Sequence, residues 1–170
     1  MTKPTTDRAT DPEVAADPRL DLTTPLTPGD AVACILVVDG QYLLQMRDMK
    51  HGIFFPGCWG CFGGGVDQGE TERDALLREL DEELGWTPPP ESIRLFSRFD
   101  FDLGFAGLGA IWRIFYEVEA RREVVSGLRL REGAAMRLFS SEAILTGGIP
   151  LTPYDAFALW LHINRRRLLC

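Results

Sequence analysis

Nowhere in its 170 residues does the chain hold an apolar run long enough to cross a bilayer, which excludes a membrane-spanning helix. The N-terminal stretch also lacks the apolar segment of a secretory signal. Basic residues are too few for a nucleic-acid footprint: 18 Lys and Arg stand against 25 Asp and Glu, a net charge of −7, so no polymeric nucleic acid is expected as partner. There are two histidines, His51 and His162, with no ligand spacing between them, and both read as incidental. Four cysteines, Cys34, Cys58, Cys61 and Cys170, are too sparse for a disulfide framework in a chain of this size. Cys58-Trp59-Gly60-Cys61 has no second pair with which to build a zinc ribbon. It also runs into Gly63-Gly64-Gly65 instead of opening a helix, as a redox pair would. Its thiols therefore read as buried or loop cysteines. Cytoplasm is the expected compartment, and no internal repeat points to a solenoid.

What remains is an ordinary globular composition, 45% hydrophobic and 25% charged, at a length suited to one full core. The acidity is local. Gly64–Trp86 (GGVDQGETERDALLRELDEELGW) carries most of it, so the net charge does not imply an acidic surface for partners.

This stretch is predicted to be a helix behind a glycine run. With 3.6 residues per turn, Glu83 lies about 40° from Glu79 on one side and Glu82 about 60° on the other. Leu76, Leu77, Leu80 and Leu84 take a different arc, which makes a leucine face for the core and a carboxylate edge. Like charges three and four residues apart weaken a helix by about 0.2–0.5 kcal/mol per pair. A solvated acidic face would bear that penalty; a hard divalent cation would remove it.

Around the helix, Ala31–Asp39 and Gln41–Arg47 read as strands joined by the hairpin signal Asp39-Gly40. Met49–Gly57 reads as a loop carrying Phe54 and Phe55, and Cys58–Phe62 as a short strand. Thr71 with Asp74 opens the acidic helix, and Gly85 before three prolines closes it. Ile93–Phe101 and Ala110–Ala120 are strands around a glycine-rich connection, and Met136–Phe139 is a third. Thr152-Pro153 opens a last helix through about Leu168. Strands on both sides of a central helix, closed by a second helix, imply an α/β (α+β) fold with a mixed sheet between helical layers. Residues 1–28, rich in Thr, Pro and Asp, read as a mobile or draping arm before a domain at 29–170.

The spacing of Gly64, Glu70, Arg78, Glu79, Leu80, Glu82, Glu83 and Gly85 resembles the signature of the Nudix hydrolase family, with Trp86 where that family usually has an aliphatic residue. The resemblance implies an α/β/α sandwich and a divalent-metal-dependent pyrophosphohydrolase, with Mg²⁺ as cofactor and Mn²⁺ as substitute. Water would attack phosphorus in a nucleoside diphosphate linked to another group, such as a nucleoside triphosphate or a nucleotide sugar. Glu79, Glu82 and Glu83, with the Gly64 carbonyl, are the implied metal ligands. Arg78 orients Glu79, and Glu70 supports the loop–helix junction. The catalytic base is Glu79 or a downstream carboxylate, for which Glu132 is the candidate. Arg47 at a strand end is a candidate for phosphate, and Trp59 and Phe55 for stacking on a base. The intact set of glutamates argues against a catalytically silent nucleotide-binding module. It argues equally against a nucleotide-sugar glycosyl hydrolase, whose known relatives have an altered signature. A homodimer is left open.

Overall fold

The structure, a computed structural model, describes residues 17–20 and 25–168. Most of the N-terminal arm expected at 1–28, and Cys170, lie outside the described residues. Ten regular elements follow in chain order: β1 (Ala31–Val38), β2 (Gln41–Met46), β3 (Trp59–Gly60), α1 (Glu72–Leu84), β4 (Ile93–Asp102), β5 (Ala110–Ala120), α2 (Arg122–Val125), β6 (Ala135–Phe139), α3 (Ser141–Leu145) and α4 (Pro153–Asn164).

The strands form one six-stranded sheet in the order β3-β2-β1-β5-β4, with β6 also paired to β2. It is mixed because β1 runs parallel to β5 while its other neighbours are antiparallel. The β1–β2 turn sets Asp39 at φ 48° and Gly40 at φ 76°, the left-handed pair that a tight hairpin requires.

β1 is buried on both faces and feeds two cores. Val32, Cys34, Leu36 and Val38 pack with Leu76, Leu80 and Leu84 of α1. Ala33 and Ile35 pack on the opposite side with Trp59, Phe115, Phe139 and Leu159. The period of two along a strand produces this division, and it leaves the sheet sandwiched between α1 on one face and α3 with α4 on the other.

Helix ends follow their local chemistry. The Thr71 side chain accepts from the Asp74 N–H, and Gly85 closes α1 at φ 63°. The last helix ends at Asn164 and tightens into a 3₁₀ turn over Arg165–Leu168, within the span expected for one helix. The short helices α2 and α3 carry too few residues to show a period, so the sequence pattern does not announce them. Cys58 and Cys61 are unbridged; Cys61 is fully buried in the second core, and burial pushes its thiol well up.

Candidate active site

The acidic edge of α1 is organised by one arginine. Arg78 donates from Nε and Nη2 to the two carboxylate oxygens of Glu70, each at 3.0 Å. Its Nη1 reaches Glu79 at 2.7 Å and Glu82 at 3.2 Å, and its Nη2 also meets the Gly65 carbonyl at 2.9 Å. One guanidinium thus ties the glycine run, Glu70 and the helix together, and its hydrogen bonds hold the Glu70 carboxyl below its ordinary range.

The glutamates on this edge are not equivalent. Glu83 is 5% exposed and takes the Gln45 amide at 2.6 Å and the Gly63 N–H at 2.8 Å. Burial, reinforced by the charges of Glu79 and Glu132 against those two donors, pushes its carboxyl up to about 8. Glu79 is partly buried, and desolvation raises it despite Arg78. Glu82 is 57% exposed.

The loop after α2 brings the fourth carboxylate. The Arg129 and Arg131 N–H groups bond the Leu84 and Glu83 carbonyls, closing the C-terminus of α1. Glu132 therefore stands beside the edge and lines a small groove with Gln45, Arg47, Lys50 and Glu83. Its side chain is 64% exposed, 4.0 Å from the Lys50 ammonium.

Close approach explains the glycines. A Cβ on Gly64 would meet the Glu79 carboxylate at 2.5 Å, and one on Gly63 would meet the Val32 carbonyl at 2.4 Å. The Gly64 carbonyl, named as a possible metal ligand, accepts from the Val32 N–H at 2.9 Å with one of its two lone pairs. Gly63 meets the glutamates too, through its N–H to Glu83. Neither Gly63 nor Gln45 stands out in the sequence as a site residue. Gln45 lies inside an apolar strand at 4% exposure, and that burial of an amide is the signal that could have found it.

Beside the glycine run opens a cleft of about 670 Å³. Arg47, Phe54, Phe55, Phe101, Trp112, Arg113 and Tyr154 stand in its wall, and residues 26–30 form one rim. Arg47 donates to the Phe54 carbonyl at 2.6 Å and has no carboxylate partner among the described residues. Phe55 holds a left-handed φ of 51°, a strained setting for a non-glycine residue, and packs edge-on against Tyr154. Trp59, expected to stack on a base, is not in this wall. It is buried 4.8 Å from Phe139 in the second core, because β3 turns it toward α3 and α4.

The donors fit a hard divalent cation in kind: all are carboxylate oxygens, clustered, and one is buried among like charges. Among the described residues, however, no three His, Cys, Asp or Glu side chains already converge on one point as a preformed cage. Arg78 holds Glu79 and Glu82, while Gln45 and Gly63 hold Glu83. Arg78 takes only one oxygen each of Glu79 and Glu82, so the second oxygen of each is left for a cation.

Residues 27–151 match the family model of the NUDIX domain. The nucleoside triphosphatase NudI of Escherichia fergusonii is 49% identical over 55 residues, covering 32% of this chain and 38% of that protein. The NudI of an Enterobacter species is 46% identical over 54 residues, with the same coverage. The matched stretch thus spans well under half the length of these curated relatives. A MutT NUDIX hydrolase from Burkholderia pseudomallei superposes with a TM-score of 0.60 at 26% identity, over 78% of this chain and 96% of that one. The NUDIX domain of Shewanella oneidensis NrtR, solved with ADP ribose, superposes at 0.62 over 94% and 99%; at 22% identity that likeness concerns the fold alone.

Proposed function

Because this chain belongs to the Nudix family, whose domain model it matches over residues 27–151, we infer that it hydrolyses a phosphoric anhydride in a nucleoside diphosphate derivative, with a nucleoside triphosphate as the leading substrate class. The observation that carries the reading is the juxtaposition of four carboxylates with an apolar, arginine-bearing cleft across the glycine run at 63–65. An anhydride is polyanionic and repels a nucleophile; clustered carboxylates suit it only if cations lie between. Mg²⁺ or Mn²⁺ held by Glu79, Glu82 and Glu83 would neutralise phosphate oxygens and acidify a bound water. The chain's own groups do the rest. Arg78 fixes the carboxylate of Glu79, the residue proposed as base because it is partly buried, desolvated and oriented at 2.7 Å. Glu132, exposed on its loop, is the rival base. Arg47, a cation without a carboxylate partner among the described residues, is the proposed contact for a phosphate, and Phe55, in the same cleft wall, the proposed stacking surface for the base.

The NudI relatives are named as nucleoside triphosphatases, which favours nucleoside triphosphates over nucleotide sugars. Phosphate or pyrophosphate release from a broad nucleotide panel with Mg²⁺ tests the substrate. Hydrolysis in ¹⁸O-labelled water tests the bond: label in a phosphate product supports attack on phosphorus, and label on a sugar carbon refutes it.

A further inference from the structure

The sheet ends in an edge that the described residues leave open. β4 is the last strand in the order, paired to β5 on one side and to no strand among the described residues on the other. Natural edges are commonly guarded by proline, by bulges or by charges that repel a second strand. The one irregularity of β4 falls at Phe96, between Leu95 and Ser97. From Ser97 to Asp102 it runs in unbroken register, without glycine or proline.

Which backbone groups face outward follows from the neighbouring strand. The Trp112 N–H turns toward β1, where it donates to Asp30 at 2.9 Å. Along a strand successive residues turn their N–H and C=O to alternate sides, so Ile111, Arg113 and Phe115 turn theirs toward β4. Their register partners Phe101, Phe99 and Ser97 complete that ladder. Arg98, Asp100 and Asp102, of the opposite parity, therefore present their N–H and C=O groups outward, with no strand among the described residues to take them.

The side chains along this edge differ by face. On one, the exposed Arg98 donates through Nε and Nη2 to Oδ1 of the exposed Asp100, at 3.0 and 2.9 Å. Both bonds go to a single oxygen, so Asp100 Oδ2 and Arg98 Nη1 keep their capacity. On the other face, Phe99 packs edge-on against Phe157 of α4, their centres 5.4 Å apart. Phe157 in turn stacks on Trp160, and both of these rings are about half exposed. The strand thus carries opposite charges on one face and a half-covered aromatic patch on the other.

We propose that this edge pairs antiparallel with β4 of a second copy of the chain, about a two-fold axis at Phe99. Outward backbone groups must meet outward backbone groups, so the axis has to pass through a residue and not between two. At Phe99 it sets each Arg98 opposite the partner's Asp100, twice over, with Nη1 and Oδ2 left for that contact. It also sets the two Phe99 residues opposite each other as a non-hydrogen-bonded pair, about 4.5 Å between Cα atoms, where cross-strand side chains come closest. An axis at Arg98 would oppose two arginines, and one at Asp100 two aspartates. The edge is therefore self-complementary in one register, which is what a two-fold interface demands. The same register carries the partner's Leu95, 67% exposed, toward residues 103–109, where Phe105 is 89% exposed and lines the cleft.

The test is sedimentation velocity of the full chain across the micromolar range, with amide hydrogen exchange read residue by residue. The expected result is a concentration-dependent dimer in which the Arg98 and Asp100 amides gain protection as the dimer fills. Arg98→Asp and Asp100→Arg each set like charges across the axis and should raise the dissociation constant about tenfold or more. The double variant Arg98→Asp with Asp100→Arg exchanges the two signs and should restore the dimer. Thermal melting checks that each variant folds; should a single reversal unfold, exchange at Arg98 and Asp100 in the unaltered protein decides. A monomer throughout the range, a dimer indifferent to the reversals, or a double variant that stays dissociated overturns the proposal. Full protection of both amides already in the monomer also overturns it, because another segment of the same chain would then hold the edge. None of these readouts needs a substrate, so they stand apart from the outcome of the nucleotide panel.

Discussion

Glu83 on α1 and Asp155 on α4 are both buried carboxylates on the two sides of one sheet, yet their surroundings differ in kind. Asp155 accepts from a guanidinium, a hydroxyl and a backbone N–H, so its charge has a matching charge beside it. Glu83 has two neutral donors, and the charges that reach it, from Glu79 and Glu132, are of its own sign. The first arrangement is complete within the protein and makes a brace. The second has no balancing charge among the described residues, which is why it, and not the ion pair, is the proposed place for a cation.

The difference is sharpest if one carboxylate is altered for catalysis and the other for stability. Glu79→Gln should lower turnover by about 10²–10⁴-fold while the melting temperature stays or rises, because a charge leaves a crowded acidic edge. Near-unchanged turnover on a confirmed substrate would contradict the proposed role. Asp155→Ala should behave oppositely, destabilising the fold by about 3–5 kcal/mol, since Arg113 would be left buried and unpaired. Chemical denaturation gives that figure directly, and a loss under about 1 kcal/mol would mean the brace is dispensable.

A third buried titratable group, His162, sharpens the contrast through pH. It bonds Tyr42 through Nδ1 at 2.9 Å, with Arg165, Glu117 and the Phe96 ring also packed against it. Burial, then the Arg165 charge, outweighs Glu117 and lowers it from 6.5 to about 4. A depressed folded-state value means that stability is present above pH 6.5 and is lost as pH falls through about 4. The loss attributable to this group is about 3 kcal/mol. His162→Asn should flatten the stability profile in that window, and an unchanged acid limb would remove His162 as its cause.

Metal should matter only on the Glu83 side. Chelation should abolish turnover, and Mg²⁺ at a hundred times its dissociation constant should stabilise the protein by about 2.7 kcal/mol. Glu83→Gln should lose that thermal shift, and Arg113→Lys should keep it. The smallest effect is expected from Cys58→Ser with Cys61→Ser: some stability lost at buried Cys61, but no change in metal requirement and no redox dependence of the rate. A redox response that vanishes in the double variant would show the pair to be functional.

Elements with strong local codes are legible in the amino-acid sequence. The β1–β2 hairpin, the caps of α1 and the span of β5 match their expected places because Asp39-Gly40, Thr71, Gly85 and a strand run free of Gly and Pro act over a few residues. Trp59 shows the limit. An aromatic beside glycines looks the same whether it turns to a ligand or to a core, and only the pairing of β3 with β2 decides the face.

The acidic edge is written in the chain alone, since 3.6-residue periodicity places Glu79, Glu82 and Glu83 together within one helix. The family is legible for the same reason: the spacing is local and dense. What those groups face is settled by the folded sheet. Gln45 meets Glu83 across 38 residues, Asp155 meets Cys61 across 94, and Arg113 meets Asp155 across 42. Such contacts depend on strand register and on which face of the sheet a helix covers, and no short-range pattern encodes them, because each exists only once the whole sheet has closed.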